Sequence, residues 1–466
     1  MLTMISPRKM KFYGIRDLDS IPQIQNLPED QRFALKVVSA VMPFRVNNYV
    51  IEELIDWNNI PEDPIFQLTF MQKEMLNDDQ FGRVANILYN GYDDSEIKNV
   101  VEEIRLELNP HPAGQMTMNV PNLDGKPVPG VQHKYKETVL IFPSSGQTCH
   151  AYCTFCFRWA QFIGMSDLKF ATDESKRFQD YLIAKKDVTD VLITGGDPMI
   201  MSAKNLASYI IPLLEPEFDH IRNIRIGTKS VAYWPYKFVT DKDSDDILRL
   251  FEKIVNSGKH LAVMGHYNHW KELSTDVAKE AVRRIRNTGA EIRTQSPLIK
   301  HVNDDPDVWT QLWLEQVKLG CIPYYFFIER NTGAKSYFEI PLYTAYKIYK
   351  QAYENISGLG RTVRGPSMSA LPVKVSVEGI TEIHGEKVFV LNMLQARNPR
   401  WVKRPFFAKF DEKATWMSDL RPAFGKDKFF YQDELNQMIR ESEEQSHILP
   451  GEDFEIYANQ ELNADD

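Results

Sequence analysis

ETVLIFPSSGQTCHAYCTFCFRW, residues 137–159, decides how the chain is read. It opens with ETVLIF, a short β-branched and apolar run of strand length. It then turns through Pro143, Ser144, Ser145 and Gly146 into a loop that carries Cys149, Cys153 and Cys156. Outward from it come further runs of the same kind, DVLITG, NIRIGT, HLAVMG, AEIRTQ and IPYYFFIE, separated by amphipathic stretches of helical length. Strands alternating with helices imply βαβ crossovers and a parallel sheet. Period alone leaves a doubly wound sheet and a partial barrel both open. In either, ligand chemistry gathers at the C-terminal ends of the strands.

The cysteines have the spacing C-x3-C-x2-C on the loop after the first of these strands. A short loop can point three thiolates at three irons of a cubane cluster and leave the fourth iron open. Two other ligand sets compete. His150 would complete a Cys3His zinc knuckle, although adjacent ligands such as Cys149 and His150 chelate one tetrahedral ion awkwardly. Cys321 would complete an electron-transfer cluster, or is a buried apolar thiol at the start of the sixth strand. The second strand ends in LITGGDP, where Gly195 and Gly196 let the backbone approach a ligand and Asp197 can accept from an ammonium group.

On these residues the chain resembles the radical S-adenosylmethionine (SAM) superfamily. The resemblance implies an α/β fold built on a partial (β/α)6 barrel, with a [4Fe-4S] cluster on Cys149, Cys153 and Cys156. It also implies SAM chelated at the open iron, its reductive cleavage to a 5'-deoxyadenosyl radical, and a reductant such as flavodoxin or ferredoxin. Gly195, Gly196 and Asp197 then match the motif that binds the methionyl amino group. The order of PVPGVQHKYKETVLI, CHAYCTFCFRW, DVLITGGDP, IRIGT, GHYNH, TQSPLIKHVND and PYY resembles one branch, the lysine and glutamate 2,3-aminomutases, over roughly residues 30–380. That branch implies a small amino acid or amine as substrate and a homo-oligomer. It puts Arg158 at the substrate carboxylate, where a guanidinium offers a bidentate fork. His266, Asn268 and Gln295 should line the SAM pocket, and Asp304 should meet a distal amino group.

Two departures weigh against the pyridoxal phosphate (PLP) of that branch. Where its lysine follows a run of glycines, this chain reads RTVRGPSMSALPVKV, and Lys374 reads as a strand lysine facing solvent. Where it has a phosphate-binding arginine, DPIFQL places Phe66. The alternatives to an amino shift are a PLP-independent radical oxidation, elimination or modification and, outside enzymes, a non-catalytic iron-sulfur electron carrier.

The rest of the chain sets bounds. Its 466 residues, 43% hydrophobic and 26% charged, suit a globular protein with a full core, and a net charge of -9 disfavours nucleic acid as the main partner. No stretch approaches the length of apolar residues needed to cross a bilayer, and MLTMISPRKM lacks the features of a signal peptide, so the expectation is a cytoplasmic protein without a membrane partner. Residues 1–130 read as a helical region ending in a Pro- and Gly-rich connecting loop, 131–375 as the barrel, and 376–466 as a C-terminal extension. The extension should hold a hairpin turning at His384 and Gly385 and a frayed acidic tail, NQELNADD.

Overall fold

The computed structural model describes residues 5–445, apart from 92–93, 113–115, 117, 166–167 and 174, so the NQELNADD tail lies outside the described residues. Two short pairs precede the main sheet: β1 (Phe12–Gly14) with β2 (Arg45–Asn47), and β3 (Asn122–Leu123) with β4 (Lys126–Pro127). The main sheet runs β5 (Val131–Tyr135), β6 (Thr138–Ile141), β7 (Asp190–Ile193), β8 (Asn223–Thr228), β9 (His260–His266), β10 (Glu291–Leu298), β11 (Ile322–Ile328), β12 (Arg364–Ala370), β13 (Val373–Ile383), β14 (Glu386–Ala396) and β15 (Phe406–Lys409). Its spatial order is its chain order, with β6 to β12 parallel and both flanks antiparallel. A doubly wound sheet requires the order to reverse at a switch point, and here it never does. Sequential parallel order is that of a partial barrel.

The six expected strands are all present and parallel; β5 and β12 extend them on either side. The sheet also runs through residue 375 without a break, because β13 spans Val373–Ile383. The hairpin does turn at His384 and Gly385, both with positive φ (52° and 81°), as the two central residues of a tight hairpin require. The sheet curls far enough for its β5 edge to reach β12 and the end of β14. Lys134 of β5 donates to Ser369 Oγ of β12 at 3.2 Å, and Arg397, just past β14, donates to the His133 carbonyl of β5 at 3.2 Å.

Alternation within the strands explains the layers. In β8, Ile224 and Ile226 are buried under the helices while Arg225 and Gly227 face an internal cavity. In β10, Ile292 and Leu298 are buried, while Gln295 and Pro297 face that cavity. The covering helices carry matching apolar stripes. In Asp276–Asn287 the buried side chains are Val277, Ala278, Ala281, Val282 and Ile285, with Thr275 capping the start and Arg284 and Arg286 in the last turn. Among the described residues no helix is long and apolar enough to cross a membrane.

Three crossovers end alike. The helices Ser244–Asn256, Asp276–Asn287 and Pro306–Lys318 are each followed, after one capping residue, by a glycine with φ of +85°, +86° and +75° (Gly258, Gly289, Gly320), and the next strand starts two residues later. A Cβ on Gly289 would meet Val255 Cγ1 at 2.9 Å. Gly289→Ala should therefore lower stability by about 1–2 kcal/mol, whereas Gly82→Ala, inside the helix Asp78–Asn90 with open space around it, should raise it by about 0.5–1 kcal/mol. Urea denaturation midpoints of the two variants check both signs.

Candidate active site

The cysteine loop has little regular structure of its own, so other segments hold it. The N-terminal region supplies most of the bracing. Tyr152 N–H donates to the Arg45 carbonyl at 2.8 Å and Thr154 N–H to the Leu68 carbonyl at 3.0 Å. Asn47 Nδ2 donates to the carbonyls of His150 and Tyr233 at 2.9 Å each, and Arg45 donates to Thr148 Oγ1 at 2.6 Å.

From below, the end of β7 presses on the same loop. The Asp197 N–H donates to the Thr148 carbonyl at 2.7 Å. A Cβ on Gly196 would lie 2.5 Å from the Thr148 backbone, and one on Gly195, whose φ is +153°, 2.2 Å from Gln147 Nε2. Both glycines line the cavity, and their lack of side chains also lets strand end and loop pack together.

Asp197 itself is the centre of this bracing. Its carboxylate, 2% exposed, accepts from Thr228 Oγ1 (2.7 Å), Met199 N–H (2.9 Å), Lys229 N–H (2.9 Å), Ser230 N–H (3.0 Å) and Ser230 Oγ (3.0 Å). Ser230 Oγ lies 2.8 Å from His150 Nδ1, which ties the β8 end to the cysteine loop. The expected acceptor for an ammonium group is thus already committed to protein donors.

Cys149, Cys153 and Cys156 all line one cavity of about 300 Å3 at the C-terminal ends of the parallel strands. Burial pushes the Cys153 thiol up to about 11 and the Cys156 thiol up to about 12, and Cys149 well above its ordinary value. Such thiols ionise only when a metal offsets the charge. Among the described residues no three His, Cys, Asp or Glu side chains converge on one point as ligands of a single ion do. A cubane cluster asks less, since each thiolate binds a different iron. His150 lines the same cavity with its Nδ1 held by Ser230, but the three cysteines and His150 do not converge on one point as a zinc site requires.

Cys321 does not supply that position either. It immediately precedes β11, whose seven residues span about 23 Å. The cysteine loop follows the C-terminal end of β6, parallel to β11 in the same sheet, so Cys321 sits at the opposite end. It is a buried thiol, 3% exposed, outside the cavity wall.

The remaining expected residues divide. Arg158 faces the cavity at 7% exposure, 3.9 Å over the Phe142 ring, with no carboxylate partner among the described residues. Burial, and then Arg330, push its guanidinium down to about 9. His266 and Gln295 also line the cavity, and His266 Nε2 is buried without a hydrogen-bond partner, an orphan that fits a bound ligand.

Asn268 and Asp304 do not join them. Asn268 is fully buried behind the wall, donating to Ser296 Oγ at 2.9 Å and accepting from Lys229 Nζ at 2.8 Å. Asp304 is exposed and outside the cavity, because its neighbour Asn303 turns inward and donates to the carbonyls of Asn268 (3.0 Å) and Pro297 (3.1 Å).

Lys374 overturns its expected position. It is 8% exposed and lines the cavity, its Nζ 3.8 Å from the Tyr325 ring centroid. Alternation correctly separates Lys374 and Ser376 from Val373, Val375 and Val377, but the polar face of this strand meets the barrel interior rather than solvent. Lys134, Glu329 and Arg330 also line the cavity; the first two lie in stretches quoted above, PVPGVQHKYKETVLI and IPYYFFIE, but were not singled out as site residues.

Two features expected of a PLP site are missing from this wall. Phe66 lies in an aromatic cluster, stacked on Phe70 at 4.9 Å, and does not reach the cavity. The β12–β13 turn is Leu371–Pro372, with no glycine run to present amides to a phosphate.

The comparisons with known proteins agree with the geometry. A scan of protein-family models matches none to this chain. A protein named "Putative L-lysine 2,3-aminomutase" from Aquifex aeolicus is 30% identical over 362 residues, 78% of this chain and 84% of that protein. The L-lysine 2,3-aminomutase of Clostridium subterminale is 29% identical over 43% of this chain and 45% of its own length. The glutamate 2,3-aminomutase of Clostridioides difficile is 24% identical over 70% and 65%. Among solved structures, a radical SAM methyltransferase from Sphaerobacter thermophilus aligns with a TM-score of 0.32 and 13% identity, over 48% of this chain and 66% of that one.

If Asp197 is structural, Asp197→Ala should cost about 2–3 kcal/mol in protein without metal or SAM. An unchanged guanidinium midpoint for that variant would show the carboxylate to be a ligand group only. The chain is an enzyme of the radical SAM, lysine 2,3-aminomutase-like family.

Proposed function

We propose that this enzyme reductively cleaves S-adenosylmethionine and uses the resulting radical to abstract hydrogen from a small amino acid. The observation that carries the reading is that the Cys149, Cys153 and Cys156 thiols and the unpaired Arg158 guanidinium line the same cavity. When bound to the three thiolates, a [4Fe-4S] cluster supplies the electron that splits the sulfonium of SAM. An external reductant such as flavodoxin or ferredoxin would recharge it.

The chain's own residues do the positioning. The bracing by Arg45, Asn47 and Asp197 keeps the thiols facing the cavity. His266 and Gln295 offer polar contacts to the SAM side of that space, and His266 stays neutral because burial holds its imidazole well below its ordinary value. Arg158, already desolvated between Phe142 and Phe157, offers two parallel donors to a substrate carboxylate without first shedding water. Phe155, packed edge-on to His266 with ring centroids 5.8 Å apart, helps keep water from the reacting atoms. Since the arginine and the glycine run expected to hold PLP are missing, no step is routed through it, and hydrogen abstraction followed by PLP-independent oxidation, elimination or modification is the reading these residues support.

Anaerobic reconstitution with iron and sulfide tests the proposal. The wild-type protein should bind about four irons per chain and form 5'-deoxyadenosine with dithionite. Cys149→Ser, Cys153→Ser and Cys156→Ser should each abolish that product, while Cys321→Ser should keep both cluster and product. Loss of the cluster in Cys321→Ser would turn the reading toward an electron carrier.

A further inference from the structure

Two lysines in the cavity wall have no task in the chemistry above. Lys134 of β5 and Lys374 of β13 are 7% and 8% exposed. Strand pairing brings them together: Lys374 is the cross-strand neighbour of Ser369, and Lys134 Nζ donates to Ser369 Oγ at 3.2 Å. The two Nζ atoms approach the Tyr135 ring at 5.7 and 5.8 Å, and the Tyr135 hydroxyl lies 3.3 Å from Ser369 Oγ. On its other side Lys374 pairs in register with Gln395, which accepts from the Tyr325 hydroxyl at 3.4 Å.

Neither ammonium has a carboxylate within ion-pair distance among the described residues. The charges that bear on Lys374 after burial itself are cations, Arg225, Arg364 and Arg330, and its pKa is driven well below the ordinary value. The carboxyl groups of the cavity wall offer no relief. Asp197 is committed to five protein donors, and burial, partly offset by Arg330, pushes the Glu329 carboxyl well above its ordinary value and so disfavours its charged form. Buried charges persist when they are paired. Burial disfavours the charged form of both amines while the corner is empty, so an oxyanion placed between them, beside the hydroxyl and amide groups, would favour their protonation and gain charged donors.

We propose that Lys134 and Lys374 form an oxyanion subsite, and that the substrate is an amino acid with a second acidic group on its side chain. Its α-carboxylate lies at Arg158 and its side-chain oxyanion between the two lysines. The assignment rests on the radical reading above and narrows it. A diamine such as lysine would bring a second ammonium against cations with no free carboxylate to meet it, Asp304 being on the outer surface. A phosphate monoester shares the oxyanion chemistry, so the test separates the two sources.

Full-length protein, reconstituted anaerobically and supplied with SAM, is dialysed to equilibrium against labelled L-aspartate, L-glutamate, L-2-aminoadipate, L-norleucine and L-lysine. The best-fitting acid should bind about tenfold more tightly than L-norleucine or L-lysine. Lys134→Met and Lys374→Met should each erase that preference at a wild-type melting temperature, and Lys374→Arg should keep it. Equal binding of L-lysine, or a Lys374→Met protein that still prefers the acid, would overturn the subsite. Lysine-dependent retention of inorganic phosphate or PLP, with acids and L-norleucine held alike, would assign the pair to a phosphate and overturn the substrate class. Formation of 5'-deoxyadenosine after dithionite is added to the same samples reads the radical step separately. An acid preference without that product leaves the subsite standing and removes the proposed reaction; the product without the preference does the reverse.

Discussion

A loop that must aim three thiols into a shared space cannot do so by its own hydrogen bonds, since it lacks a helix or strand to fix it. Everything else here follows from how that loop is held. Asp197 joins the ends of β7 and β8 and, through Ser230, reaches His150, while Arg45, Asn47 and Leu68 grip the loop from the N-terminal region. The buried carboxylate is tolerable because five donors share its charge. The N-terminal region is thus part of the site's architecture, and among the described residues it contributes Asn119 to the cavity wall.

The curled sheet supplies the second constraint. When strands follow one another in space as they do in sequence, their inner faces converge on one volume, and every inward residue becomes a candidate for chemistry. That volume is polarised. Its cysteine side holds thiols and aromatic rings, and its far side, where β5 meets β12 and β13, holds lysines and hydroxyls. Desolvation makes both sides costly when empty, and a ligand with complementary charge at each pole would relieve both.

How much of this was legible beforehand depended on what each signal could encode. The six parallel strands and the cysteine loop were, because β-branched runs and metal-ligand spacing are local properties. Arg158, His266 and Gln295 reached the cavity because strand ends and the loop after the first strand face it by topology. Asn268 and Asp304 share motifs with residues that do, but Asn303 pulls its own carbonyl-binding amide inward and turns Asp304 out. Lys374 was assigned to solvent because alternation reports two faces and not what lies beyond each. The flanking strands β5 and β12 were missed: one, VQHKY, is mostly polar with a single β-branched residue, and the other, RGPSMSA, lacks β-branched residues and contains a proline.

The β5 edge of the curled sheet has no backbone ladder to the strands it curls toward. It is stitched to them by side chains: Lys134 to Ser369, and Arg397, whose single Nη2 donates to the carbonyls of Met118 and His133 and to Asn119 Oδ1 at 3.1–3.2 Å. A seam closed in this way can part by rotating a few long side chains, with every strand pair left intact. The closure of the cavity on this side therefore depends on side-chain rotamers and not on backbone pairing.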